Sequence, residues 1–200
     1  MNVSRPVILA SASPARAKLL EQSGIACIVL PTDVDESCDA ACPVELAESL
    51  SLRKALACRS AWSASADHLV IAADTVVFID DHIIGKPDDR AHAKRQLELL
   101  SGRTHRVITG YTLLFPCDAV PCTGSSQSRV TFHELDEGEI ESYLDSGQWM
   151  GAAGSYRIQE RASLFIRGIE GSFWNIVGLP IEEIFGIVRI REYMHVVLGS

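Results

Sequence analysis

Residues 69–87 have the sequence LVIAADTVVFIDDHIIGKP, and the prediction of the fold starts from them. Apolar, mostly β-branched residues on both sides of residues 72–75 predict a strand, or two nearly continuous strands, largely buried on both faces. Residues 80–82 predict a polar turn, after which Ile83 and Ile84 return as a short partner strand. The segment therefore predicts a buried strand that continues into a hairpin.

Two charged residues in this segment indicate a chemical role. Asp74 is a carboxylate inside an apolar strand, which is costly unless a metal, a cation or a water that it deprotonates pairs with it. Lys86 follows between Gly85, which permits a close backbone approach, and Pro87, which stiffens the exit. A strand carboxylate and a lysine delivered by a hairpin suit a triphosphate with its divalent cation. The alternative is that Asp74 ends one strand and Lys86 is a solvated turn residue.

The N-terminal segment predicts a strand, a small-residue loop and a helix. Residues 7–10 form the strand, Ser13 fits the N-cap, Pro14 fits the first helical position, and Gly24 ends the helix. Free N–H groups at such a helix start can bind an anion. Arg16 in the first turn opposes the helix dipole unless an anion compensates. The alternative is an ordinary capped helix with a surface arginine.

The remaining periodicity predicts alternating strands and helices. Strands are predicted at residues 25–30, 106–115, 129–135 and 164–166. Helices are predicted at residues 43–65, from Asp88 or Asp89 to Leu100, from Asp136 to about Gly147 with Glu139 completing a capping box, and from Pro180 to about Tyr193. Residues 116–128, rich in Pro, Gly and Ser, predict a mobile hairpin loop.

Length and charge limit the classes of protein that the chain can belong to. Its 200 residues are 47% hydrophobic, enough for one domain or two small lobes. The net charge of −8 argues against broad binding to nucleic acid or to a membrane surface. No apolar run reaches the roughly 18 residues of a membrane helix, and the first apolar stretch is too short for a signal peptide. We therefore expect a cytoplasmic protein.

Cysteines and acidic residues give weaker signals. The six cysteines, without an export signal, are expected to be reduced thiols, and their spacing lacks the histidines of a zinc finger. The acidic loop predicted at residues 32–36 suits a hard cation, although acidic loops are usually only solvated. Lys54, inside the predicted helix 43–65, either extends to solvent or reaches into a cleft.

Short motifs occur along nearly the whole chain. They are Leu9-Ala10-Ser11-Ala12-Ser13-Pro14 with Arg16 and Leu19-Leu20, Asp35-Glu36, Lys54-Ala55, Ala73-Asp74-Thr75-Val76-Val77, Gly85-Lys86-Pro87, Ala153-Gly154-Ser155-Tyr156 with Ile158-Gln159, and Asn175-Ile176-Val177-Gly178-Leu179-Pro180. Each motif is modest alone. As an ordered set they resemble the Maf family of nucleoside triphosphate pyrophosphatases.

The resemblance implies an α/β fold related to the inosine triphosphate pyrophosphatases. It implies an elongated mixed β-sheet flanked by helices, with two lobes and a central cleft inside a single domain of residues 1–200. It also implies a reaction that needs a divalent cation, Mg²⁺ or Mn²⁺, and that yields a nucleoside monophosphate and pyrophosphate. The implied catalytic residues are Asp74 as proton acceptor, Lys54 and Lys86. The implied substrate-binding residues are Ser11, Ser13 and Arg16, and the implied metal ligands are Glu36 and Asp74.

The family's specificity positions correspond here to Ala15, Thr75 and Gln159. Gln159 resembles the subgroup that hydrolyses dTTP and UTP, because its amide offers both a donor and an acceptor to uracil or thymine. Ala15 departs from that subgroup, which has arginine there, so one contact is missing. We expect dTTP and UTP as substrates. The alternatives are a pyrophosphatase for 7-methyl-GTP or other modified nucleotides, and a nucleotide-binding regulator of septum formation. The resemblance also makes a homodimer an expectation.

Overall fold

The computed structural model describes residues 5–35, 42–116 and 118–198. The chain folds as two compact units. The first contains residues 1–74, 109–126 and 178–200, and the second contains residues 75–108 and 127–177.

The first unit is built on short parallel strands. β1 (Val7–Leu9) pairs with β2 (Cys27–Val29) and with the start of β3 (Val70–Ile79), and both pairings are parallel. Helix α1 (Pro14–Gln22) connects β1 to β2. The other helices of this unit are α2 (Pro43–Ala61), the 3-10 helix Ser63–Asp67, α6 (Ile181–Ile190) and α7 (Met194–Leu198).

The core of the first unit lies between these strands and α2. Ile8 and Val70 are fully buried neighbours in the β1–β3 pair. Ala55 and Cys58 of α2 belong to the same cluster. β1 and the start of β3 are buried and apolar without alternation, as expected for strands covered on both faces. This packing places the carboxyl end of β1 beside the β3 segment that leads to Asp74.

The second unit contains the predicted hairpin. β3 pairs with β4 (His82–Ile84) in antiparallel register through Asp80 and Asp81, whose φ angles of 47° and 62° belong to the tight turns favoured in hairpins. The other elements are α3 (Arg90–Leu100), α4 (Glu137–Asp145), the 3-10 helices Ala153–Ser155 and Arg161–Phe165, β7 (Ile166–Glu170) and α5 (Phe173–Val177).

Helix starts in the second unit follow the sequence prediction. Asp89 accepts a hydrogen bond from the His92 N–H and caps α3. Asp136 and Glu139 form the predicted capping box of α4. The apolar faces of both helices lie in one core with Val107 and Phe132. Local capping chemistry and amphipathic spacing therefore predict these helices correctly.

Seven strands of the described residues form one mixed sheet, flanked by helices. β5 covers Thr104–Leu114 and β6 covers Cys122–Phe132. The strand order is β2-β1-β3-β5-β6-β7, and β4 pairs with β3. β3 is a single strand, which settles the alternative of two separate strands. The α/β fold class with a mixed sheet is confirmed.

The predicted mobile loop at residues 116–128 is wrong for its second half, because β6 begins at Cys122. Its small polar residues point inward: Ser126 donates to Glu183 at 2.6 Å, and Ser128 donates to the Ser172 carbonyl. Serine is common in loops, and the local sequence therefore predicted a loop here. In the structure these serines are buried in a strand, because residues distant in sequence form hydrogen bonds with their hydroxyl groups.

Several other predicted boundaries also change, and the predicted strand 129–135 is the end of β6, which stops at Phe132. The predicted helix 43–65 ends at Ala61. The predicted strand 164–166 is instead β7, which begins at Ile166. The last predicted helix ends at Ile190, just before Glu192, whose φ of 55° cannot continue a helix.

Candidate active site

Asp74 and Lys54 form an ion pair in the first unit. The Lys54 Nζ lies 2.5 Å from the Asp74 Oδ1. The two side chains are only 11% and 13% exposed. A carboxylate inside an apolar strand needs such a partner, because desolvation without one costs several kcal/mol. The sequence predicted both residues, and the structure brings them together.

Arg16 is the second cation near Asp74. It is buried on α1, which lowers the pKa of its guanidinium, while the negative charge of Asp74 raises that pKa. The guanidinium donates from Nε to the Gly178 carbonyl at 2.6 Å and from Nη1 to the Ser11 Oγ at 2.9 Å. The alternative of a surface arginine is therefore wrong. Arg16 links the loop after β1 to Gly178, which lies 162 residues later in the chain. Its positive charge also interacts with the negative charge of Asp74.

The loop between β1 and α1 adds two hydroxyl groups. Ser11 is buried, and its Oγ accepts a hydrogen bond from the Ser13 N–H at 3.2 Å. Ser13 occupies the N-cap of α1 and Pro14 follows, as predicted, but the Ser13 side chain makes no capping hydrogen bond to this helix. The first N–H groups of α1 thus keep their capacity to bind an anion.

Gly178 is required by this arrangement. Its φ of 111° lies in a region that side-chain-bearing residues rarely adopt, and its carbonyl is the acceptor for Arg16. The sequence singled out residues 175–180 only as a motif, without a partner. The structure supplies the physical reason, since the glycine turns the chain so that its carbonyl meets the guanidinium.

Three predicted site residues belong to the second unit. Thr75 follows Asp74 along β3 and is half-buried, whereas Lys86 and Gln159 are exposed. The Gly85 carbonyl, next to Lys86, accepts a hydrogen bond from the Gly154 N–H at 3.1 Å. Two predicted motifs, residues 85–87 and 153–156, therefore meet inside this unit.

Sequence reasoning missed Gln96, a buried polar residue on α3. Its Nε2 donates to the Gly85 carbonyl, and its Oε1 accepts from the Ser155 hydroxyl at 2.5 Å. A signal was present, since Gln96 falls on the apolar face that also carries Leu97 and Leu100. A polar residue on a buried helical face needs partners and therefore indicates a structural or functional contact.

The oxygen ligands available suit a hard divalent cation carried by a phosphate group. Mg²⁺ is usually held by one or two carboxylates together with substrate phosphates, and Asp74 offers one carboxylate. Within residues 5–35, 42–116 and 118–198, no group of three or more His, Cys, Asp or Glu residues could hold a metal alone. Glu36, the other predicted ligand, lies outside the described residues.

Comparison with known proteins decides the family. The family model described as "Maf-like protein" matches residues 6–190. The chain belongs to the Maf family. Proteins named dTTP/UTP pyrophosphatase from Bacillus anthracis and from a strain of Bacillus cereus are each 41% identical over 181 residues, covering 90% of this chain and 92% of each relative.

A solved structure titled "The structure of the Staphylococcus aureus Ham1 protein" aligns with 64% of this Maf chain and 72% of that chain, at a TM-score of 0.44 and 15% identity. Among the described residues of the Maf chain, none of the helices combines the length and the apolar character that crossing a membrane requires.

Proposed function

We propose that this Maf protein hydrolyses dTTP and UTP to the nucleoside monophosphate and pyrophosphate. The relatives that match 90% of the chain carry the name of this activity. The proposal rests on one observation, the ion pair of Lys54 with Asp74. The positive charge of Arg16 also interacts with the negative charge of Asp74. A shielded carboxylate beside two cations suits attack by water on a polyanion.

Asp74 is the proton acceptor in this proposal. Water attacks the α-phosphorus, an O–P bond forms, the bond to the pyrophosphate oxygen breaks, and the water proton passes to the Asp74 carboxylate. Lys54 orients that carboxylate through its bond to Oδ1. A positioned base contributes about 10²–10⁴ in rate.

Cationic and hydroxyl groups stabilise the departing charge. Lys54 and Arg16 reduce the negative potential of the phosphate oxygens, and Ser11, Ser13 and the N-terminus of α1 donate hydrogen bonds to them. Lys86 is proposed as a third cation. It is exposed, and it directly follows Gly85, whose carbonyl accepts a hydrogen bond from the Gly154 N–H. Phosphoryl transfer depends mainly on such positioning and charge stabilisation.

Maf-family nucleotide pyrophosphatases are generally metal-dependent. We propose Mg²⁺ or Mn²⁺ here, held by Asp74 and Glu36 together with the substrate. When bound, such an ion polarises phosphate oxygens. The chain's own cations neutralise the remaining charge.

Gln159, Thr75 and Ala15 are the proposed specificity residues. An exposed glutamine amide can pair with the N3–H and O4 of uracil or thymine, whereas a carboxylate favours guanine. Ala15 is half-buried on α1 and has no polar group to offer. We also propose a cytoplasmic location, where nucleotides are the available substrates, and a homodimer as the assembly.

A pyrophosphate-release panel tests the proposal. Standard and modified nucleoside triphosphates are compared with Mg²⁺ and with Mn²⁺, using wild-type protein, Asp74→Asn and the matched control Asp81→Asn. Asp81 is exposed in the hairpin turn, where asparagine also tolerates a positive φ. We expect turnover of dTTP and UTP that falls about 10²–10⁴-fold in Asp74→Asn only.

Other outcomes contradict the proposal. Faster turnover of 7-methyl-GTP would assign the chain to the modified nucleotides instead. A folded Asp74→Asn protein with normal turnover would remove Asp74 from the reaction. Binding of nucleotides without any release of pyrophosphate would favour a regulatory role.

A further inference from the structure

Gln96 is a buried amide on α3 with hydrogen bonds at both ends. It is 6% exposed, and its neighbours on the same face are apolar. The Nε2 donates to the Gly85 carbonyl at 3.3 Å and lies 3.1 Å from the His92 Nε2. The Oε1 accepts from the Ser155 hydroxyl at 2.5 Å. A buried amide with such contacts joins the segments that it touches.

The orientation of the Gln96 amide follows from its partners. The Gly85 carbonyl can only accept a hydrogen bond, so the amide nitrogen must face it. The Ser155 hydroxyl then meets the amide oxygen as a donor. A flipped amide would place two oxygens against each other, and a buried pair of that kind costs more than the bond it replaces.

Ser155 is held in a backbone conformation that serine rarely adopts. Its φ is 61°, and the side chain is fully buried. Such a conformation costs about 1–3 kcal/mol and persists only where surrounding contacts determine it. The preceding residue, Gly154, donates its N–H to the same Gly85 carbonyl that Gln96 contacts. Gln96 therefore connects Ser155 and Gly85, and thereby the turn that carries Lys86.

We propose that Gln96 is a positioning residue for Lys86. By bonding to both the Gly85 carbonyl and the Ser155 hydroxyl, it fixes the backbone from which the exposed lysine projects. Gln96 is buried and acts through Lys86 in this role. The inference rests on the proposed function, in which Lys86 neutralises phosphate oxygens.

The activity test uses Gln96→Met, which keeps the length and volume of the side chain but removes its hydrogen bonds to Gly85, His92 and Ser155. Loss of these hydrogen bonds should lower kcat/KM for UTP about tenfold, mostly through a higher KM. Gln127→Met is the matched control, since Gln127 is exposed on β6. Ser155→Gly is a second variant, which tolerates the left-handed backbone and removes the side chain that carries the hydroxyl donor.

A double-mutant cycle separates positioning from general stability. In a Lys86→Ala background, Gln96→Met should change kcat/KM less than twofold, because the residue through which it acts is gone. An equal loss in the presence and absence of Lys86 overturns the proposal. So does a Gln96→Met protein with wild-type kcat and KM.

Hydrogen exchange tests the same contact without any turnover. In Gln96→Met, the Gly154 amide should exchange about tenfold faster, whereas the amides of α4 should keep the wild-type rate. Unchanged exchange at Gly154 overturns the inference even if the enzyme is active. If the wild-type protein releases no pyrophosphate from any nucleotide, the proposed function fails. In that case faster exchange supports the hold on Gly85, and unchanged exchange overturns it.

Discussion

Replacing Lys54 with methionine should destabilise the first unit through the charge left behind on Asp74. The pair is formed at 2.5 Å, and Asp74 retains only 13% of its exposure. Removing one partner of a buried ion pair costs about 3–5 kcal/mol. The neighbouring Arg16 still attracts the carboxylate, so we expect a smaller loss than this range, about 2–3 kcal/mol.

Urea unfolding followed by far-UV circular dichroism measures this loss. With a slope of about 2 kcal/mol per molar urea, the midpoint should fall by about 1–1.5 M. The double variant Lys54→Met/Asp74→Asn should regain most of the loss, because its buried site then carries no unpaired carboxylate. Lys18→Met is the matched control, since Lys18 is exposed on α1.

Two results would refute this reasoning. The free energy of unfolding of Lys54→Met could lie within about 0.5 kcal/mol of the wild-type value, a difference typical of surface substitutions. Alternatively, the effects of the two substitutions could add without coupling. Either result would mean that the carboxylate is solvated in the folded protein and needs no cation.

Three further changes have expected outcomes. Gly110→Ala should lower the free energy of unfolding by about 3 kcal/mol or more, since a Cβ there would lie 2.2 Å from the Ala47 carbonyl carbon. The control Gly168→Ala, whose Cβ would meet no atom within 4 Å, should lower it by less than about 1 kcal/mol in the same measurement. Burial lowers the pKa of His105 from 6.5 to about 4. The unfolded chain alone therefore binds this proton between those pH values, so stability should fall by up to about 3 kcal/mol as the pH drops from 6.5 to 4, and His105→Asn should flatten that slope in urea titrations. Gln159→Glu should lower kcat/KM for UTP about 10–100-fold and shift preference toward guanine nucleotides, and an unchanged substrate panel would remove Gln159 from base recognition.

Sequence reasoning succeeded where the cause is local. The capping box of Asp136 and Glu139 involves residues three apart, and the Asp80–Asp81 turn lies between the strands that it joins. It failed at residues 122–128, which form part of β6 between β5 and β7, and whose buried Ser126 and Ser128 bond to Glu183 and Ser172 from elsewhere in the chain. Local propensity contains no information about such partners.

The candidate site divides in the same way. The sequence by itself determined that Asp74, a carboxylate in an apolar strand, needs a partner, since burying an unpaired charge is too costly, and it left a metal ion, a cation and a water open as that partner. Only the tertiary structure decided which cations lie near it: Lys54 from a helix 20 residues earlier, and Arg16, which also holds Gly178 across 162 residues. It likewise decided that Gln96 joins Gly85 to Ser155. A buried charged or polar group needs a partner, and the sequence of one segment is enough to show this need. Which residue is the partner depends on how distant segments pack.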